Sequence, residues 1–176
     1  MALTLVLGGA RSGKSALAVR VAAAQDRPVV FVATGQAGDD EMAERIASHR
    51  AERPPAWRTV EEPVHLDDAL RGCEPKAFVV VDCLTLWVAN VMAAGSDEVL
   101  AGAARAAGIA HQRIGPTIVV SNEVGSGIVP ADPEVRRYRD LLGRVNAVFA
   151  TAADRAVLVV AGRVLPLLAA EDLVGG

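Results

Sequence analysis

An α/β fold, a mainly parallel sheet flanked by helices with an antiparallel hairpin at its edge, is what this sequence of 176 residues predicts. Three observations carry that expectation. Short apolar runs alternate with helix-like segments along the chain. The runs are continuous and rich in β-branched residues, as suits strands covered on both faces. Near the C-terminus two such runs are separated only by a short glycine-containing turn.

The first run, Leu3 to Leu7, lacks the basic stretch of a signal peptide and leads directly into a glycine-rich loop, so it reads as a strand. A helix follows over Lys14 to Gln25, with Leu17, Ala18 and Val21 on one face. Val29 to Ala33 is the second strand. Glu41 to Arg50 is the second helix, for which Asp39, Asp40 and Glu41 supply the cap and first-turn acids. Arg53 to Pro63, with Pro54 and Pro55, reads as the longest irregular connection. Then come a strand at Phe78 to Val81, a helix at Leu84 to Ala93 and an alanine-rich helix at Val99 to His111. A strand at Ile118 to Val120 and a helix at Val135 to Ala153 complete the alternation. Val157 to Val160 and Val164 to Leu168, joined by Ala161-Gly162-Arg163, form the hairpin, and Ala169 to Gly176 is expected to fray.

One domain over residues 1–176 accounts for this pattern, since a domain near this size buries roughly 70% of the surface its unfolded chain exposes. With 3% aromatic residues its core must be aliphatic, and the same scarcity argues against binding of single strands by stacked aromatics. A net charge of −3, from 18 basic and 21 acidic residues without a basic run, argues against any nucleic-acid partner. Although 52% of residues are hydrophobic, no run reaches the roughly 18 apolar residues of a membrane span. Cys73 and Cys83 are too few and too far apart for a disulfide framework or a zinc site. They read as buried apolar residues of a reducing compartment, which places the protein in the cytoplasm.

Gly8-Gly9-Ala10-Arg11-Ser12-Gly13-Lys14-Ser15 matches G-x-x-x-x-G-K-[ST] between the first strand and the first helix. The fold class thereby narrows to a P-loop NTPase. Its glycines let backbone N–H groups converge on phosphate oxygens, and the helix N-terminus adds positive potential. Lys14 is expected to pair with β/γ phosphate oxygens and Ser15 to ligate Mg²⁺. Lys14 is one of only two lysines, the other being Lys76, in a chain whose remaining basic residues are arginine. Asp82 ends the strand Phe78 to Val81 and is the second candidate metal residue; the alternative is a cap for the helix near Leu84.

Thr34-Gly35-Gln36 follows the second strand at the carboxyl edge of the sheet, where ligands of open α/β folds bind. In the next helix Met42, Ile46 and His49 share a face, and His49 has Arg45, Arg50 and Arg53 near it in sequence. A lone histidine on an apolar face is more often packed or exposed than catalytic. Positive neighbours favour a neutral, nucleophilic imidazole, and the same arginines suit phosphate. His65 and His111 have no such setting. Glu61 reads by default as a solvated acid. Glu123, in Ser121-Asn122-Glu123-Val124-Gly125, is either a general base or a turn cap.

Together these stretches resemble one family, the bifunctional adenosylcobinamide kinase/adenosylcobinamide-phosphate guanylyltransferases of cobalamin nucleotide-loop assembly. The resemblance rests on the phosphate loop, Ala33-Thr34, Asp39-Asp40-Glu41-Met42 with Arg45-Ile46, His49-Arg50, and Arg53-Pro54 with Trp57-Arg58-Thr59. It continues through Asn122-Glu123-Val124-Gly125, Gly127-Ile128-Val129-Pro130 and Gly143-Arg144-Val145-Asn146. It implies phosphorylation of adenosylcobinamide from ATP or GTP, then transfer of GMP from GTP to adenosylcobinamide phosphate through a covalent histidine adduct, at the position of His49. It also places Thr34, Gly35, Arg50, Arg53, Glu61 and Asp82 in or near the nucleotide site, and implies a homotrimer. Some relatives carry Glu where this chain has Asp82. The rival expectations are a P-loop small-molecule kinase without guanylyl transfer and a nucleotide-switched binding protein.

Overall fold

The computed structural model describes residues 3–51 and 53–169, apart from the side chains of Glu41, Met42 and Arg45. The expected fraying of the tail lies, but for Ala169 itself, outside the described residues. The chain runs β1 (Leu3–Gly8), α1 (Lys14–Ala23), β2 (Val29–Ala33), α2 (Asp40–Ala51), β3 (Arg58–Glu61), α3 (Leu66–Arg71) and β4 (Phe78–Asp82). It continues through α4 (Leu84–Val91), a 3₁₀ turn at Met92–Ala94, α5 (Ser96–Gln112), β5 (Thr117–Asn122), α6 (Pro133–Ala152), β6 (Arg155–Val160) and β7 (Arg163–Leu167).

Seven strands form one sheet in the order β3-β2-β4-β5-β1-β6-β7, parallel throughout except for the β6–β7 pair. Continuous apolar strands are explained by two-sided cover. Leu3, Leu5, Leu7, Val79, Val81 and Val119 face one core with Leu142 and Phe149 of α6. Val6, Phe31, Val80 and Val120 face a second core with Ala18 and Ala22 of α1. Both cysteines are buried and unbonded to each other, as expected. Among the described residues no helix is long and apolar enough to cross a membrane.

One expectation is corrected. Within Arg53 to Pro63, residues Arg58–Glu61 are an edge strand pairing in parallel with β2, from Val30↔Arg58 to Ala33↔Glu61. Its Arg-Thr-Val-Glu sequence is exposed or half-buried, so it never acquires the apolar run that marks a central strand. The six-residue α3 was also not anticipated; it is too short to display a helical period.

The hairpin is tighter than expected. Arg163 belongs to β7 and pairs with Val160, which leaves Ala161-Gly162 as a two-residue loop with φ of 49° and 73°. Two positive φ values are what a type I′ turn between twisted strands requires. The loop has a second contact: Gly162 N–H donates to Ser12 C=O at 2.9 Å, so the hairpin tip is bonded to the phosphate loop.

Candidate active site

The phosphate loop is built from backbone constraints. At Gly8 an added Cβ would lie 2.5 Å from Ser12 Oγ and 2.7 Å from the main-chain oxygen of Val159, so no larger residue fits there. Gly13 stands at φ 95°, a conformation that frees the chain to enter α1 at Lys14. Lys14 Nζ donates to Gly9 C=O at 3.1 Å and so lies folded over the loop. Gly9, Ala10 and Arg11 are exposed at the rim, and Ser12 is buried within it.

Two strands away, Asp82 closes β4. Burial pushes its carboxyl above the ordinary value, while a hydrogen bond from the Ser15 hydroxyl and the positive charges of His49, Lys14 and Arg53 pull the other way. The alternative role, capping α4, is not realised: Cys83 occupies the N-cap position and contributes no side-chain cap bond. The Asp82–Cys83 peptide is cis. Cys83 is no nucleophile, since burial, and then the adjacent Asp82 charge, push its thiol up to about 11.

Thr34 fixes this strand end from below. It is fully buried; its hydroxyl donates to Cys83 C=O at 2.7 Å and accepts from Cys83 N–H at 2.9 Å, and its own N–H donates to Asp82 C=O at 3.2 Å. Asn90 Nδ2 in turn donates to Thr34 C=O at 2.8 Å. Thr34→Val keeps the shape and strands the N–H of Cys83, whose C=O still accepts from Trp87 N–H at 3.1 Å; an unsatisfied buried group costs about 1–3 kcal/mol. We expect a lower urea midpoint with an unchanged slope, together with weaker nucleotide binding as Asp82 loses its anchor.

One cavity of about 280 Å³ gathers most of the remaining candidates. Lys14 and Ser15 reach it from α1, Ala33 and Gly35 from the end of β2, Asp82 from β4, and His49 and Arg53 from α2 and the turn after it. The Arg53 guanidinium stacks on the Phe31 ring, 3.6 Å from its centroid, which holds the cation at the cavity wall. Ile46, one helical turn before His49, lines the same wall, as their shared face predicts.

Other candidates lie elsewhere. Arg50 turns away from the cavity and pairs with Glu61 at 3.3 Å, with the two side chains 66% and 67% exposed, so this contact adds little to stability. The side chain of Arg45 lies outside the described residues. Of the two roles open to Glu123, the structure displays the turn cap: its Oε1 accepts from Gly125 N–H at 2.5 Å, Ser126 N–H at 3.1 Å and the Ser126 hydroxyl at 3.3 Å. Sequence reasoning passed over Thr85, Leu86 and Asn122, which also line the cavity. Asn122 was within reach, because it stands at a strand's carboxyl end, the signal that found Thr34 and Asp82.

The donor set also says what kind of metal it suits. Among the described residues no group of three or more His, Cys, Asp or Glu side chains could cage an ion. One hydroxyl and one carboxylate, Ser15 and Asp82, fit Mg²⁺ that arrives with phosphate oxygens and water as its other ligands.

A phosphate loop after the first strand, with its acidic partner two strands away across a parallel sheet, defines a P-loop nucleotide-binding protein. Two solved structures share the fold alone: one from Pyrococcus horikoshii OT3, at 9% identity and TM-score 0.57, covers 99% of this chain and 89% of that one. An ATPase from the type III secretion system of pathogenic bacteria, at 10% identity and TM-score 0.54, covers 97% and 60%.

Residues 4–167 match the family model described as cobinamide kinase / cobinamide phosphate guanyltransferase, and the chain belongs to that family. It is 46% identical over 165 residues to the bifunctional adenosylcobalamin biosynthesis protein CobP of Pseudomonas aeruginosa, spanning 93% of this chain and 95% of that protein. To the bifunctional adenosylcobalamin biosynthesis protein CobU of Escherichia coli it is 38% identical, spanning 91% and 96%. The resemblance read from the motifs is thereby borne out.

Proposed function

We propose that this chain phosphorylates the aminopropanol hydroxyl of adenosylcobinamide from ATP or GTP and then transfers GMP from GTP to the resulting phosphate, releasing pyrophosphate and giving adenosyl-GDP-cobinamide. The observation that carries this reading is the sharing of one cavity by His49, Lys14, Ser15, Asp82 and Arg53. A kinase alone needs the phosphate loop and the acid. A nitrogen nucleophile beside them has no use in that chemistry and an evident one in nucleotidyl transfer.

In the kinase step the loop N–H groups and Lys14 hold the β- and γ-phosphates, and the reaction is mainly one of positioning and charge stabilisation. Ser15 and Asp82 would hold Mg²⁺, which would supply charge neutralisation at the phosphates. In the second reaction a ring nitrogen of His49 attacks the α-phosphorus of GTP; a P–N bond forms as the bond to the pyrophosphate oxygen breaks. A phosphate oxygen of adenosylcobinamide phosphate then attacks the same phosphorus and releases neutral imidazole. Lys14 and Arg53 stabilise charge on the transferring group. Treatment with α-labelled GTP tests the reading: we expect one GMP per chain, acid-labile and base-stable, on the peptide containing His49. A protein that hydrolyses or transfers γ-phosphate without ever carrying GMP is a plain P-loop kinase.

Glu123 acts through its turn. Since the transition state is loose, the hydroxyl proton departs late and a strong base is dispensable. Glu123→Gln retains an acceptor for the turn, so kinase turnover is expected to stay within about threefold of wild type across neutral pH. A steep loss of turnover at unchanged thermal stability restores the base role to Glu123.

The reading includes a homotrimer in the cytoplasm, with one nucleotide-binding domain per chain carrying both reactions. The edge supports association: every residue of β7 is exposed, with Leu165 and Leu167 on one face and Val164 on the other.

A further inference from the structure

Asn122 ends β5, the strand between β1, which carries the phosphate loop, and β4, which carries Asp82. Side chains clamp its main chain on both sides. Its N–H donates to Thr85 Oγ1 at 2.9 Å, and its C=O accepts from Asn146 Nδ2 at 3.0 Å. Each clamp is itself held: Tyr138 hydroxyl donates to Thr85 C=O at 3.0 Å, and Asn146 Oδ1 accepts from the Ser121 hydroxyl at 2.6 Å. Asn146 is buried, at 6% exposure, and its bond to Ser121 is shielded from water, while the other bonds of the network are half-buried.

Asn122, so positioned, lines the cavity beside Lys14, Ser15 and Asp82, and its Oδ1 is buried without a hydrogen-bond partner. Native proteins rarely leave a buried amide oxygen unpaired, and an orphan on a residue of the cavity wall calls for a donor from the ligand. Phosphate oxygens and carboxylates supply no hydrogen. The missing partner is therefore an O–H or N–H group standing next to the phosphates.

We propose that Asn122 Oδ1 receives the acceptor hydroxyl of the kinase step and turns its oxygen lone pair toward the γ-phosphorus. This rests on the kinase reading given above. As the new O–P bond forms, the bond from the γ-phosphorus to the bridging oxygen of the nucleotide breaks; the hydroxyl proton ends on phosphate or solvent, and the carboxamide neither gains nor loses one. Thr85 and Asn146 are positioning residues that fix where the carboxamide stands. A water held between nucleotide and Asn122 offers the same O–H chemistry and is the other source the test separates.

Asn122→Leu and Asn122→Ser both remove the carboxamide, and Ser leaves the main-chain clamps undisturbed. Kinase kcat and KM for adenosylcobinamide are measured with the affinity for a fluorescent GTP analogue and the thermal midpoint. Loss of the hydroxyl contact lowers kcat in both variants by about 10- to 100-fold while nucleotide Kd stays within about threefold. If a water is held instead, Kd without corrinoid weakens about tenfold in both, and kcat/KM falls by the same factor. Values of kcat and Kd within about twofold of wild type in both variants overturn the assignment, as does a loss confined to Leu. A wild-type protein that binds nucleotide and phosphorylates no corrinoid overturns the kinase reading, and the Kd measurement then still decides whether Asn122 holds a water.

Discussion

Replacing His49 by alanine is expected to eliminate the covalent GMP and to lower guanylyl transfer by on the order of 10³-fold or more, the scale seen when a nucleophile is deleted from an intact site. The geometry singles out this nitrogen. Ile46 and His49 are one turn apart on α2 and face the same cavity, whereas Arg50, turned about 100° further round the helix, reaches Glu61 at the surface. Free imidazole added to His49→Ala should restore part of the turnover without labelling the protein, because the small molecule replaces the side chain but leaves with the nucleotide. Label that persists undiminished in His49→Ala would sink the assignment.

Asp82→Asn is expected to lower both reactions by about 10²-fold or more while making the nucleotide-free protein more stable. The two effects have one origin, a carboxylate held largely out of water at the end of β4. Burial raises its native pKa above the unfolded value of 3.8. Between those two values the native state binds more protons than the unfolded chain, so stability falls as pH rises through the window and the penalty is complete above the native pKa. Asparagine carries no charge and escapes the penalty. The thermal midpoint of Asp82→Asn should therefore exceed that of wild type at neutral pH, and the gap should close as pH falls below the unfolded value. Saturating Mg²⁺ and GTP should reverse the order, since only the carboxylate gains from the cation. Wild type more stable than the variant at neutral pH, without ligand, would refute the argument.

Legibility of the fold followed burial. The five strands of the sheet interior, from β2 to β6, together with helices α1, α2, α4, α5 and α6, announce themselves through apolar runs and helical periods. The edge strand β7 was found through its turn. The other edge, β3, has no such turn and only Val60 as an aliphatic residue, flanked by arginine, threonine and glutamate, so its pairing with β2 is a tertiary fact with no local signature. At the site, strand-end placement correctly brought Asp82 to the cavity, and helical spacing brought His49. Sequence proximity misled for Arg50, which is adjacent to His49 yet faces solvent, and served for Arg53, which lies beyond the helix end. Glu123 and Asn122 are neighbours whose fates differ by the alternation of a strand continued into a turn: one carboxylate closes the turn, one asparagine lines the cavity. No spacing rule distinguishes them.

The hydrogen bond from Gly162 to Ser12 ties the phosphate loop to one of the last segments of the chain to be synthesised. β1 lies between β5 and β6, whose residues are paired with it from more than a hundred positions away, and the hairpin tip then bonds to the loop that β1 leads into. A chain leaving the ribosome thus presents its phosphate motif before the strands that flank β1 have emerged. Such distant closures are slow to form. The loop in its fully bonded form therefore needs the hairpin in place, and completing it is one with finishing the sheet.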